Sequence, residues 1–279
     1  MSGPIRFDGQ TVLVTGAGRG LGAAYARAFA GRGAAVVVHD AGLAKDGSGG
    51  DHAVADAVAA EISATGGVAL AAHEDLRDAD ACAALVARTL EAFGRIDAIV
   101  HNAGLHVLEP LETEQPSWDA VLRTSLDAPF HVTRAAWPEL VAQGYGRLVF
   151  TTSAHAMQLK PSLAGEAAYA AGKAGALGLM LAVAAEGAAH GIRANAVAPV
   201  AQTRISRRGA APGELAAERV APGVLYLASA RCEFTGAVLG AEDGRFWPLA
   251  WRAGNHVDCA TPEEIAERTP EIEGVAATV

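Results

Sequence analysis

Short apolar runs rich in β-branched residues alternate along this chain with Ala- and Leu-rich segments of helical length, and that alternation leaves few architectures open. Residues 11–15 (TVLVT), 34–39 (AAVVVH), 68–72, 96–101 (IDAIVH), 147–152 (RLVFTT), 192–198 and 237–240 read as strands. Between them 21–30, 51–65, 78–93, 117–142, 166–190 and 213–230 read as helices. A strand that is apolar without interruption buries both faces, which requires helices on each side of a parallel sheet. The expected fold is therefore α/β: a doubly wound, Rossmann-type domain with a seven-stranded, mainly parallel sheet. No Pro- or Ser-rich linker and no internal repeat divides the 279 residues, so a single domain over 1–279 is expected, with an irregular tail after about 240 that carries Trp247 and Trp251. Two connections, 41–50 and 154–165, exceed the roughly 2–6 residues usual in such folds, and long loops of this kind are often functional.

Composition removes several function classes. With 31 acidic against 22 basic residues the chain carries a formal charge of −9, which repels phosphate backbones; no nucleic-acid partner is expected. Cys82, Cys232 and Cys259 are scattered and form no CxxC, so neither a disulfide framework nor a zinc ribbon is indicated, and a reducing cytoplasm fits. His101 and His106 lack carboxylate partners at metal-ligand spacing, so no metal is expected. Residues 1–10 show no export signal. The most apolar stretch, 167–185, is interrupted by Lys173 and followed by Glu186, which leaves uncharged runs below the roughly 18 residues of a membrane span, so no membrane partner is expected.

The chemistry is concentrated at strand ends. The first strand runs into Gly16-Ala-Gly-Arg19-Gly20-Leu21-Gly22 and then a helix, a turn whose glycines let the backbone approach a pyrophosphate beside free helix N–H groups. Asp40 closes the second strand 18 residues beyond Gly22, where a carboxylate can accept from the adenosine ribose hydroxyls. The same charge repels the 2′-phosphate of NADP by on the order of 4 kcal/mol per charge pair at about 4 Å and an effective dielectric of about 20, before screening. NAD is favoured, with Arg19 and His39 the residues able to offset that repulsion and admit NADP. Tyr169 and Lys173 stand one helical turn apart. With four Tyr and three Lys in the chain, a Tyr-x-x-x-Lys pair arises by chance only about 0.04 times. An adjacent ammonium favours phenolate, which suits an acid/base working near neutral pH. On the same helix Gly172, Gly175 and Gly178 each cost about 1 kcal/mol relative to Ala, which implies close packing against a partner subunit or within the chain.

Thr15-Gly16-x-x-x-Gly20-x-Gly22, Asn102-Ala103-Gly104, Ser153, Tyr169-x-x-x-Lys173 and Asn195 with Pro199 follow the order and approximate spacing of the short-chain dehydrogenase/reductases, which the chain resembles over about residues 8–245. VTGAGRGLGAAYARAFAGRGAAVVVHD, FGRIDAIVHNAG, VTRAAWPEL and YGRLVFTTSA are similar to the (3R)-hydroxyacyl-CoA dehydrogenase part of multifunctional enzyme type 2 and its stand-alone bacterial relatives. The resemblance implies that Tyr169 is the general acid/base, that Lys173 lowers its pKa and holds the nicotinamide ribose, and that Ser153 hydrogen-bonds the substrate oxygen. It further implies that Asn102, Ala103 and Gly104 border the cofactor, that Asp75 and Leu76 contact the adenine, and that Asn195, Pro199 and Thr203 serve the nicotinamide end. A homodimer or homotetramer is implied too.

The chain departs from the family pattern at His101, at Ser125 in place of a helix Asn that relays protons, and at Val200 after Pro199. A lengthened segment between Ser153 and Tyr169 makes His155 and Met157 candidate substrate contacts. The expected function is an NAD(H)-dependent oxidoreductase interconverting a small-molecule secondary alcohol and ketone of 3-hydroxyacyl, steroid or polyketide-like type. The alternatives are a non-redox dehydratase or cyclase on the same scaffold, or a non-catalytic cofactor-binding regulatory protein.

Overall fold

The computed structural model describes residues 3–44, 47–114, 117–157, 164–201, 215–251, 253 and 256–273. Eight strands form one sheet: β1 (Thr11–Thr15), β2 (Ala35–His39), β3 (Val68–Ala72), β4 (Ala98–His101), β5 (Gly146–Thr151), β6 (Ile192–Val200), β7 (Val238–Glu242) and β8 (Arg245–Leu249). Their order is β3-β2-β1-β4-β5-β6-β7-β8, parallel throughout except for the β7–β8 pair. The helices are α1 (Gly20–Ala30), α2 (Ala53–Ala64), α3 (Ala79–Phe93), α4 (Trp118–Leu122), α5 (Ala128–Gln143), α6 (Ala167–Gly187), α7 (Ala221–Leu227) and α8 (Pro262–Glu273).

Strand alternation sorts the core into two layers. Val12, Val14, Val36, Val38 and Val100 face a cluster completed by Tyr25 and Phe29 of α1 and Val224 of α7. Leu13, Val37, Ile99, Leu148 and Phe150 face the other, completed by Leu85 of α3, Val132 of α5 and Leu177 of α6. Helix α6 is the one helix among the described residues long and apolar enough to span a membrane by length and composition. In this fold Ala176, Leu177 and Met180 are spent on the core, and Lys173 is buried with them.

Two expectations need correction. The sheet has eight strands rather than seven, because β8 joins β7 through Asp243 and Gly244, both at positive φ (48° and 79°), the backbone that a two-residue hairpin turn requires. Pro248 and an exposed pattern mark β8 as an edge strand, which an apolar-run search passes over. The chain divides into two compact units, Met1–Leu249 and Ala250–Val279. Within the second unit Thr261 caps the start of α8, its Oγ1 accepting from Glu264 N at 3.2 Å, while Glu264 Oε2 accepts from Ala260 N at 2.6 Å. Lastly, the helix expected over 117–142 contains a five-residue π segment, Arg123–Asp127, between α4 and α5.

That π segment answers the glycine question on α6. A Cβ on Gly172 would lie 3.0 Å from Ser125 Cβ, and one on Gly175 2.9 Å from Leu126 Cδ2, so both glycines serve packing within the chain. Gly178 faces open space.

Asn195, placed by resemblance at the nicotinamide end, is fully buried in the middle of β6 instead. Its Nδ2 donates to Phe234 O at 3.1 Å and its Oδ1 accepts from Ala237 N at 3.0 Å, shaping the turn into β7. Asn195→Ala strands both backbone groups at about 1–3 kcal/mol each. Its melting temperature is expected to fall by roughly 5 °C or more in a thermal scan, with cofactor affinity of the folded protein unchanged.

Candidate active site

The carboxyl ends of β1 and β4 are laced together where the strand order reverses, the place at which open α/β sheets bind ligands. Thr15 Oγ1 accepts from Asn102 N and Ala103 N, both at 3.1 Å, and donates to Val100 O at 3.4 Å. Asn102 Nδ2 donates to Thr15 O at 3.1 Å and to Gly16 O at 3.0 Å. The turn after β1 accepts no side chains at two points. Gly16 has φ 65° and a Cβ there would lie 2.8 Å from Ala103 Cα, while a Cβ on Gly22 would overlap the Gly16 carbonyl oxygen. No side chain caps the N-terminus of α1, so its first N–H groups are presented to the cleft, as anion sites at helix starts require.

Asp40 binds the loops on either side of it. Its Oδ2 accepts from Gly18 N at 2.9 Å and its Oδ1 from Gly42 N at 2.8 Å. Each carboxylate oxygen has a second lone pair, so acceptor capacity toward a ribose remains. The described cations at this end are already engaged. Arg19 pairs with Asp51 at 3.2 Å, and Arg77 grips Asp75 at 2.5 Å while donating to Gly47 O at 2.9 Å. The Arg77 guanidinium holds the Asp75 carboxyl below the usual range. His39 is buried with Nε2 2.8 Å from Glu74 O, and burial holds its imidazole below the usual range, so it brings no charge to the surroundings of Asp40 near neutral pH.

At the other end stand Ser153, Tyr169 and Lys173. The Tyr169 hydroxyl hydrogen-bonds Ser153. Lys173 Nζ donates to Thr151 O at 2.9 Å and lies 5.9 Å from the Tyr169 ring centroid. A Cβ on Gly104 would come within 3.3 Å of that ammonium, which explains a glycine there. The expected lowering of the tyrosine pKa is not what the cleft shows. Burial pushes the Tyr169 phenol up, only partly offset by Ser153, and the same burial pushes Lys173 down to about 8.

Gly16, Arg19, Gly20, Leu21, Asp40, Asp75, Leu76, Asn102, Ala103, Gly104, Ser153, Tyr169, Lys173 and Pro199 all line this one cleft. Gly22 lies under its floor. Met157 departs from expectation: it is 3% exposed and packs in the core, because its turn folds back onto the sheet after β5. The His155 side chain and Thr203 lie outside the described residues. His101 is also structural, buried with Nε2 3.0 Å from Thr133 Oγ1 and its pKa pushed down to about 3 by burial. The sequence reading missed Leu105, His106, Arg77 and Thr124 as lining residues, although the first two directly follow Asn102-Ala103-Gly104.

The short chain dehydrogenase family model matches residues 10–208, the stretch that carries this cleft from its glycine turn to Pro199. The protein belongs to the short-chain dehydrogenase/reductase family. It is an oxidoreductase, in a family that binds NAD(P). Over 256 residues, 90% of its length, it is 41% identical to mouse peroxisomal multifunctional enzyme type 2, of which it spans 34%. Its fold is similar to a short chain dehydrogenase from Mycobacterium avium, with a TM-score of 0.83, 36% identity and 96% of each chain covered. It is also similar to a metagenomic short-chain oxidoreductase in complex with NADP, with a TM-score of 0.70 and 34% identity, covering 84% of this chain and 98% of that one.

The buried lysine has a consequence for stability. Its folded pKa of about 8 lies below the unfolded value near 10.5, so between these the unfolded chain binds more protons and stability rises with pH. Below about pH 8 the strain of burying the ammonium is fully present, on the order of 3 kcal/mol. Lys173→Met, which keeps the volume without the charge, is expected to melt above the parent at pH 7. Thermal scans across pH should show that gap narrowing as pH rises from about 8 to about 10.5.

Proposed function

We propose that the protein is an NAD(H)-dependent oxidoreductase whose substrates are secondary alcohols and ketones of the 3-hydroxyacyl thioester type. The observation that carries this reading is the convergence of Ser153, Tyr169 and Lys173 at one end of a cleft whose other end presents Asp40 among paired cations. The first-turn N–H groups of α1 and the bare backbone at Gly16 and Gly20 would hold the pyrophosphate. Asp40 would take the adenosine ribose hydroxyls, and Lys173 the nicotinamide ribose. When bound, the nicotinamide accepts or supplies the hydride.

The chain's own residues then handle the proton. In alcohol oxidation the Tyr169 oxygen takes the proton of the substrate hydroxyl; in reduction it returns it. Ser153 donates a hydrogen bond to the same substrate oxygen, stabilising the charge that grows there. The Lys173 ammonium sits beside the ring to stabilise the phenolate form. NAD is favoured over NADP because Arg19 and Arg77 already neutralise Asp51 and Asp75 and His39 is held neutral, which leaves Asp40 unopposed among the described residues. We further propose a homo-oligomer: Phe130 on α5 and Leu181 on α6 are 44% and 45% exposed, and Gly178, one turn before Leu181, faces open space.

Nicotinamide absorbance, followed over a panel of 3-oxoacyl thioesters, steroids and simple ketones, tests the reaction. Tyr169→Phe is expected to lower kcat/KM by roughly a hundred- to ten-thousand-fold, and undiminished turnover in that variant would sink the assignment. For the cofactor, NAD should raise the melting temperature more than NADP does. Asp40→Ala should erase that difference, and a parent better stabilised by NADP refutes the preference.

A further inference from the structure

His106 and Glu166 form a buried pair against the tyrosine that the sequence reading did not single out. His106 Nε2 lies 3.5 Å from Glu166 Oε1, with side-chain exposures of 17% and 11%. The imidazole is also packed on the phenol, ring centroids 4.3 Å apart and planes at 49°. Glu166 is the N-cap residue of α6, with Tyr169 three residues on in the first turn. A 3.5 Å contact in which Nε2 makes no hydrogen bond among the described residues is a weak source of fold stability, so its place beside the reacting hydroxyl calls for another account.

The surroundings hold this geometry in place. Glu109 N donates to Gly165 O at 2.8 Å, joining the loop that carries His106 to the residue before Glu166. Glu109 is itself held by Ser117, whose N and Oγ both donate to Glu109 Oε2 at 2.8 Å. Among the described residues, the titratable and charged groups facing the phenol are His106 from the loop after β4, Glu166 at the N-cap of α6 and Lys173 from α6, with Ser153 after β5 as its neutral hydrogen-bond partner.

We propose that His106 and Glu166 are a positioning pair for Tyr169, the imidazole bridging carboxylate and phenol ring so that the orientation of the ring and the charge it faces are set together. The proposal rests on Tyr169 being the acid/base. Physically, the Glu166 carboxylate opposes phenolate formation, adding to the effect of burial. His106 tempers that opposition by setting the polar edge of its ring, at Nε2, 3.5 Å from the carboxylate. The pair thereby gives the substrate wall a means of setting the pH at which Tyr169 accepts a proton from an alcohol.

The test is a tyrosinate absorbance titration of the full chain without substrate, each variant differenced against its own Tyr169→Phe counterpart, with circular dichroism confirming the fold at each pH. Glu166→Gln should move the Tyr169 transition about one pH unit lower. His106→Phe, which keeps the ring contact, should move it higher by a smaller amount. In the double variant the histidine should no longer matter, since the charge it tempers is gone. The pH profile of kcat for alcohol oxidation should follow the same order. Identical tyrosinate profiles for the parent and Glu166→Gln, including none short of unfolding in either, overturn the pair, as does strict additivity of the two substitutions. Turnover that survives Tyr169→Phe while the titrations behave as expected instead overturns the acid/base reading, and with it the pair's part in the reaction, but not its effect on the phenol.

Discussion

Everything in the cleft hangs on the hydrogen bonds that tie the end of β1 to the end of β4. Thr15 accepts two backbone N–H groups through one hydroxyl, and Asn102 returns its amide to two carbonyls across the same gap. Helices α1 and α2 lie on one side of the sheet, α3, α5 and α6 on the other, and the chain must diverge between β1 and β4 to reach both. Without side chains to bridge that divergence, the glycine turn would have no fixed height relative to Gly104, and hence none relative to Lys173. A handful of neutral hydrogen bonds, each modest in net free energy, sets the distance between the nucleotide end and the reacting end.

Charge in the cleft follows a different logic at its two ends. Around Asp40 carboxylates and guanidinium groups are partly exposed and satisfied pairwise, which leaves the Asp40 carboxylate with backbone N–H partners and spare acceptor capacity. At the reacting end the groups are buried, and burial dominates their protonation: the phenol is held protonated and the ammonium is weakened. The protein stores electrostatic strain there and relieves part of it through the Ser153 hydroxyl and the Thr151 carbonyl. Such strain is tolerable because two apolar layers, each running the length of the sheet, supply the stability locally given up.

The sequence was most informative where one residue type has one physical use. Uninterrupted valine runs announced strands buried on both faces, and the strands of the parallel core appeared where those runs lie. Tyr169 and Lys173 were visible because both residue types are scarce and a helix brings a four-residue spacing to one face. The hairpin into β8 went unseen because its signal is a single Asp-Gly step followed by a strand that buries little. Asn195 misled for the opposite reason: an Asn in a strand can serve a ligand or the backbone, and only the fold shows its amide turned to Phe234 and Ala237. His106 and Glu166 lie 60 positions apart, and no local pattern reports that a glutamate-to-glycine backbone bond draws their loops together.

The π segment at Arg123–Asp127 carries a consequence for how this chain can vary. One extra residue in a helical turn advances the helix by about 100°, so the residues before and after the segment are out of phase with an ordinary α-helix. Thr124 reaches the cleft and Ser125 meets Gly172 only in that altered phase. Loss of a single residue from the segment would restore a regular helix and swing all of α4 around its axis. Surface loops here can absorb insertions and deletions, but this stretch of helix is a length standard for the cleft, tolerant of changed side chains and intolerant of a changed count.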